Sequence, residues 1–264
     1  MDLQLRGKVV GITGGATGIG RACALSYLHE GCQLAVCGRT QSKLDTFAAE
    51  CAALGYTDVL CHVADVADPA QLEDFVSAAV RRFGRLDIWY NNAGVGVLKP
   101  FLEISLEEWD MVMDINLRAT FVGSKLVARQ MMSQGGGGVI VNAASFTSVI
   151  PVAGHGPYSV SKWGINGFTR VLAAELACYN IRVFSFIPGM IETDINRSRV
   201  AVNREYYAKQ AAMNRVGEPD DLAPTLVMLT SDRAPYFTGG CVEISGGKFC
   251  VQNPHYSWEV ASKG

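Results

Sequence analysis

An α/β fold built on a doubly wound parallel sheet is the class this sequence predicts, and three features carry the prediction. Short β-branched runs alternate with amphipathic helical stretches along the whole chain, which implies parallel strands joined by crossover helices. Helix-start signals fall between those runs. The 264 residues contain no internal repeat, and α/β folds of this length remain one unit.

The strand candidates, in order, are Val9-Val10-Gly11-Ile12, Leu34-Ala35-Val36, Val59-Leu60, Leu86-Asp87-Ile88, Val139-Ile140-Val141, Ile181 to Phe186 and Cys241-Val242-Glu243-Ile244. Asp68-Pro69-Ala70-Gln71 reads as a cap, a first-turn proline and a third-position glutamine; Ser105-Leu106-Glu107-Glu108 reads as a capping box. Gly135 to Gly138 is too short for a linker and reads as a turn before a strand. The expected organisation is one domain over residues 1–264, with 248–264 as a C-terminal tail. That tail holds too many aromatics for a typical disordered end, so it is expected to pack on the body or on a neighbouring subunit.

Hydrophobic residues make up 49% of the chain and charged residues 18%, with a formal charge of -2. A large core follows, and the balance argues against a nucleic-acid partner. The eight cysteines lack close-paired spacing, which disfavours a metal site and a disulfide scaffold alike. Met1 to Gly7 lacks the apolar core of a signal peptide, and no stretch reaches about 18 uninterrupted apolar residues, so a cytoplasmic protein without a membrane partner is expected.

Directly after the first strand candidate comes Thr13-Gly14-Gly15-Ala16-Thr17-Gly18-Ile19-Gly20, followed by an amphipathic helix. Glycines let backbone approach a pyrophosphate closely, and the exposed amides and dipole of a helix N-terminus meet its charge. The spacing differs from G-x-G-x-x-G, and taken alone it would equally describe a tight strand-to-helix connection. The Thr-Gly-x-x-x-Gly-Ile-Gly pattern nevertheless resembles the cofactor loop of the short-chain dehydrogenase/reductase superfamily, a Rossmann-like fold. Further motifs follow in that family's order: Asp65-Val66, Asn91-Asn92-Ala93-Gly94, Asn116 and Pro188-Gly189. The resemblance spans about residues 7 to 247 and implies dinucleotide contacts at Gly14, Thr17, Gly18, Ile19, Gly20, Asp65, Val66, Asn92, Ala93, Gly94, Pro188, Gly189, Ile191 and Thr193.

Tyr158 and Lys162 lie four residues apart at the start of a helix and therefore share a face. A Tyr/Lys pair at this spacing is by itself an ordinary helix face. With Ser145 thirteen residues before the tyrosine, the arrangement resembles the family's reaction centre. The resemblance implies that Tyr158 exchanges a proton with the substrate oxygen and that Ser145 orients that oxygen. Lys162 would lower the tyrosine pKa and bond the nicotinamide ribose, and Asn116 would hold a water of the proton relay. Phe146, His155 and Met190 flank these motifs and are candidate substrate contacts, although His155 also fits a plain loop histidine.

The residues closing the second strand, Val36-Cys37-Gly38-Arg39-Thr40, offer no acid for the ribose hydroxyls of NAD. Arg39 lies nineteen residues beyond Gly20, and its guanidinium suits a 2′-phosphate. Gly-Arg here resembles NADP-preferring members, so NADP is the expected cofactor and NAD the alternative. Thr17 stands where many of those relatives carry a second base, leaving one cation assured. The expected activity is interconversion of a small-molecule carbonyl and a secondary alcohol by a homotetramer paired through long helices. A 3-oxoacyl thioester reductase and a non-catalytic dinucleotide sensor are the competing readings. No basic patch adjoins Ala173 to Ala177 to greet an acidic carrier protein, and the sensor reading sits poorly with a complete reaction centre. Ser245-Gly246-Gly247 departs from the family's usual D-G-G.

Overall fold

The β-branched runs form seven strands; the five inner ones are buried on both faces over most of their length, as parallel strands covered by helices must be, and the two at the sheet edges are partly exposed. The computed structural model describes residues 2–262. The elements run β1 (Val9–Thr13), α1 (Gly18–His29), β2 (Gln33–Gly38), α2 (Gln41–Ala53), β3 (Val59–Val63), α3 (Pro69–Phe83) and β4 (Ile88–Asn91). They continue as α4 (Leu106–Met113), α5 (Ala119–Gln134), β5 (Gly138–Ala143), α6 (Gly156–Leu176), β6 (Ile181–Pro188), α7 (Arg197–Ala208), α8 (Ala223–Thr230), β7 (Cys241–Ile244) and α9 (Tyr256–Ala261).

All pairings are parallel, in the order β3-β2-β1-β4-β5-β6-β7. The order reverses between β1 and β4, and in open sheets of this kind the crevice at the carboxyl ends of those strands is where ligands bind. One face of the sheet buries α1 and α8 with Tyr27, Phe184 and Phe186. The other buries α3 and α5 with Phe75, Trp89 and Met131. A chain of buried amides crosses the centre. Asn91 Oδ1 accepts from Trp89 Nε1 (2.8 Å), its Nδ2 donates to Asn142 Oδ1 (2.8 Å), and Asn142 donates to Thr169 Oγ1 (2.9 Å). Hydrogen-bonded in this way, the polar groups offset the cost of their burial and fix the register of the core.

Local signals set most boundaries. Asp68 caps α3 by accepting from Ala70 N at 2.9 Å. Gln71 serves a different donor than a capping box would: its Oε1 accepts from Asp65 N at 2.9 Å. The Ser105/Glu108 capping box of α4 is complete. β4 lies later than Leu86-Asp87-Ile88 because its ladder runs on through Trp89, Tyr90 and Asn91, all buried. Asp87 remains at its entrance, accepting from Val9 N at 2.9 Å and paired with Arg85. Gly137, in the left-handed region, would place a Cβ 2.0 Å from the Asn180 carbonyl oxygen, so only glycine fits this turn into β5.

Candidate active site

The loops leaving β1 and β4 flank the switch point and open a cleft of about 1550 Å³. Typical small-molecule pockets hold about 300–1,000 Å³, so this one has room for more than one small ligand.

The floor is the glycine loop. A Cβ on Gly20 would sit 2.4 Å from the Gly14 carbonyl oxygen and 2.6 Å from Asn92 Nδ2, distances that only a missing side chain permits. Asn92 pins the loop by donating to the carbonyls of Thr13 (2.9 Å) and Gly14 (3.2 Å). Thr13 completes the brace, its Oγ1 accepting from the amides of Asn92 (2.9 Å) and Ala93 (3.0 Å). α1 starts without a side-chain cap and without an acid in its first turn. Its first amides therefore face the cleft unbonded, an arrangement suited to an anion. Thr193 comes over the loop from the segment after β6, its Cγ2 lying 3.3 Å from where a Gly18 Cβ would be. These features fit the pyrophosphate of a dinucleotide.

Arg39, Asp65 and Val66 line the cleft beyond β2. The Arg39 guanidinium is exposed and 3.9 Å from the Asp65 carboxylate. Lys43, at the start of α2, lines the same end and is equally exposed, 3.7 Å from Asp194. Sequence reasoning misses this second cation, whose one signal is a lysine four residues beyond Arg39 across a strand-to-helix turn.

At the other end, Ser145, Tyr158 and Lys162 line one wall. Ser145 follows β5, and Tyr158 and Lys162 sit in the first turns of α6, opened by Pro157. Lys162 is buried and donates to the Ala143 carbonyl at 2.7 Å. Its Nζ is 5.7 Å from the Tyr158 ring centre. Burial pulls its ammonium from 10.5 down to about 8. The expected lowering of the Tyr158 phenol is not what this pocket does. Burial pushes it above the ordinary 10, opposed by the Ser145 hydroxyl and by the positive charge of Arg199.

Asn116 lies in a five-residue π turn (Asp114–Arg118) between α4 and α5. Such turns are frequent at functional sites. Its side chain is committed to protein: Nδ2 donates to Val95 O (2.9 Å) and Ser161 Oγ (3.0 Å), and Oδ1 accepts from Val95 N (2.9 Å). Any water it holds must use its main-chain carbonyl, which also accepts from Thr120 Oγ1 at 2.7 Å. Ala93 and Gly94 lie beside it; a Gly94 Cβ would come 3.4 Å from Lys162 Nζ.

Pro188 ends β6, and Gly189 just beyond it packs so closely on Ser245 that a Cβ would meet its carbonyl oxygen at 2.7 Å. Gly246 and Gly247 both adopt left-handed backbone, and Ser245 Oγ accepts from Lys248 N at 3.0 Å. The serine that replaces the family's acid thus serves the local turn. Ile191 bridges to Gly217 in a single parallel pairing. Phe146, His155 and Met190 all line the cleft, with Lys248 placed 5.0 Å from the Phe146 ring centre. The tail packs on the body, Trp258 Nε1 donating to the Ala212 carbonyl at 2.9 Å, and Phe249 and Tyr256 line the cleft.

The family model for short chain dehydrogenases matches residues 8–203. The chain belongs to the short-chain dehydrogenase/reductase family. This short-chain dehydrogenase is 34% identical to an L-rhamnose 1-dehydrogenase (NAD(P)(+)) of a Sphingomonas species over 248 residues, 93% of this chain and 97% of that one. It is also 34% identical to a 3-oxoacyl-[acyl-carrier-protein] reductase of Thermotoga maritima, covering 93% of this chain and 99% of the other. Among solved structures, a short-chain type dehydrogenase/reductase from Mycobacterium marinum superposes with a TM-score of 0.89 at 33% identity, covering 94% and 98% of the two chains. The protein is accordingly an oxidoreductase acting on a carbinol or carbonyl carbon with a nicotinamide dinucleotide. Among the described residues, no helix is long and apolar enough to cross a membrane, and no cluster of metal-binding side chains occurs.

Proposed function

We propose that this short-chain dehydrogenase interconverts a ketone and a secondary alcohol with a preference for NADP(H), using Tyr158 as its acid/base. The carrying observation is the meeting of Ser145, Tyr158 and Lys162 on one wall of the cleft whose floor is the glycine loop. A nicotinamide dinucleotide bound here supplies or accepts the hydride. The protein's part is proton transfer and orientation. Ser145 Oγ and Tyr158 Oη converge on one substrate oxygen, and Tyr158 Oη gives it a proton as charge develops there. A phenol held above 10 is protonated at neutral pH, the form that serves carbonyl reduction. Lys162 is placed to bond the nicotinamide ribose and to restore the proton to Tyr158, with Asn116 positioning the Val95 segment beside it.

Arg39 and Lys43 support the NADP preference, since two exposed cations face the end of the cleft where β2 ends. Exposed Phe121 on α5 and Val160, Trp163 and Val171 on α6 support a homotetramer paired through these helices. Eight unpaired cysteines fit a reducing cytoplasm. Replacing Tyr158 with Phe tests the central claim. Turnover should fall more than tenfold while NADPH binding, followed by fluorescence, stays nearly intact; a variant retaining over a tenth of kcat refutes it.

A further inference from the structure

α7 carries three arginines, and the two that do not line the cleft are neutralised. Arg197 pairs with Asp194 at 2.9 Å, and Arg204 pairs with Glu192. Arg199, which lines the cleft, takes part in no ion pair among the described residues. Its only side-chain hydrogen bond joins Nη1 to His155 Nε2 at 3.2 Å. Burial and the Arg199 charge together hold His155 below its ordinary 6.5, so the neutral ring accepts the Nη1 hydrogen bond and leaves the guanidinium charge unbalanced. Arg199 Nε is buried and makes no hydrogen bond.

Nε and Nη2 form the side-on edge of a guanidinium, the fork that grips both oxygens of a carboxylate. Here that edge is free and the opposite corner is held by His155. The group lies near the reaction centre: the His155 and Tyr158 ring centres are 5.8 Å apart, and the Arg199 charge is felt at the Tyr158 phenol. Lys248 adds a second cation, over the Phe146 ring and bonded to Gln210. Lys209 also lines the cleft and is paired with Glu205, and Glu259, on α9, makes no ion pair with Arg199 or Lys248 among the described residues. A half-buried cation with unsatisfied donors is costly unless a ligand completes it.

We propose that the substrate is an oxo acid or hydroxy acid whose carboxylate is gripped by the Nε/Nη2 edge of Arg199, a few bonds from the carbon that exchanges hydride. The inference rests on the oxidoreductase reading above and narrows its substrate class. A planar two-oxygen anion suits one guanidinium edge, whereas a phosphate dianion would call for more donors.

Full-length protein is assayed with NADPH and NADH on α-, β- and γ-oxovalerate, each beside its methyl ester. At least one acid should exceed its ester in kcat/KM by about tenfold or more. Arg199→Gln should lower kcat/KM for that acid about ten- to a hundredfold more than for the ester, chiefly through KM, and Arg199→Lys should fall between. Equal use of acid and ester by wild type, or equal losses on both in the Gln variant, overturns the assignment. Should Arg199→Gln fail to fold, butyrate inhibition of wild type decides: competition with a neutral ketone supports the site, and its absence overturns it. Turnover of neutral ketones alone removes the carboxylate and leaves the oxidoreductase standing. No hydride transfer to any carbonyl removes both.

Discussion

Lys162→Met should stabilise the protein near neutral pH while destroying its activity, and the size of the gain should depend on pH. The ammonium is buried, and burial holds it at about 8 against the ordinary 10.5. The folded chain therefore binds this proton more weakly than the unfolded chain does. Stability is lost below about pH 8 and regained as pH rises toward 10.5. Linkage puts the cost at about 3 kcal/mol at pH 7 and about 1 kcal/mol at pH 9.5. Methionine abolishes the titration but forfeits the hydrogen bond to the Ala143 carbonyl, a roughly constant penalty of about 1–3 kcal/mol. That penalty cancels when the two pH values are compared. The stability of Lys162→Met relative to wild type should thus fall by about 2 kcal/mol between pH 7 and 9.5. Urea unfolding followed by tryptophan fluorescence measures it, at one protein concentration so that assembly does not intrude. Tyr158 ionises in the same pocket, so the pair is repeated in a Tyr158→Phe background. A difference that stays flat, or grows with pH, would refute the claim that desolvation governs this lysine.

Arg39→Ala and Lys43→Ala should each erode the NADPH advantage in kcat/KM by about ten- to a hundredfold without harming NADH use, since a partly exposed cation-phosphate pair is worth about 1–3 kcal/mol. Equal or better use of NADH by wild type would sink the NADP assignment. Gly20→Ala should abolish dinucleotide binding in a fluorescence titration and lower stability by about 1–3 kcal/mol, because the new Cβ meets backbone at 2.4 Å; tight binding by this variant would contradict the close-packed loop. Trp163→Glu should dissociate the assembly in light scattering, and a wild-type monomer at micromolar concentration would count against the paired helices.

Features written in adjacent residues are legible in the sequence itself. The glycine loop, the Asp68 cap, the Ser105 capping box and the Tyr158/Lys162 face each depend on spacings of a few positions, which the backbone converts directly into geometry. β4 starts two residues later than its apolar run suggests, because a strand buried on both faces has no polar alternation to mark its ends. Lys43 and Arg199 escape a sequence reading for another reason. Each is an ordinary base on a helix, and its meaning comes from where the fold carries that helix: Lys43 to the end of the cleft beside Arg39, and Arg199 to a place without a paired carboxylate. The sign of the Tyr158 perturbation is hidden likewise, since burial is a tertiary quantity and here outweighs the neighbouring charge.

Local rules are kept away from the cleft and broken around it. Arg182, on β6, is half-buried, and its guanidinium donates to the carbonyls of Leu229, Phe237, Thr230 and Ser231, which leaves it satisfied. At the cleft, α1 has no side-chain cap, a π turn interrupts the helix at Asn116, and an ammonium is buried without a carboxylate. Of the buried side-chain atoms that lack a hydrogen bond, those of Thr147, His155, Arg199 and His255 belong to residues lining the cleft; Ser159 is the exception. Scattered by chance, such defects would fall throughout the molecule. Their concentration there accords with a cleft whose polar groups are positioned by the surrounding sheet and helices to meet a ligand more than one another.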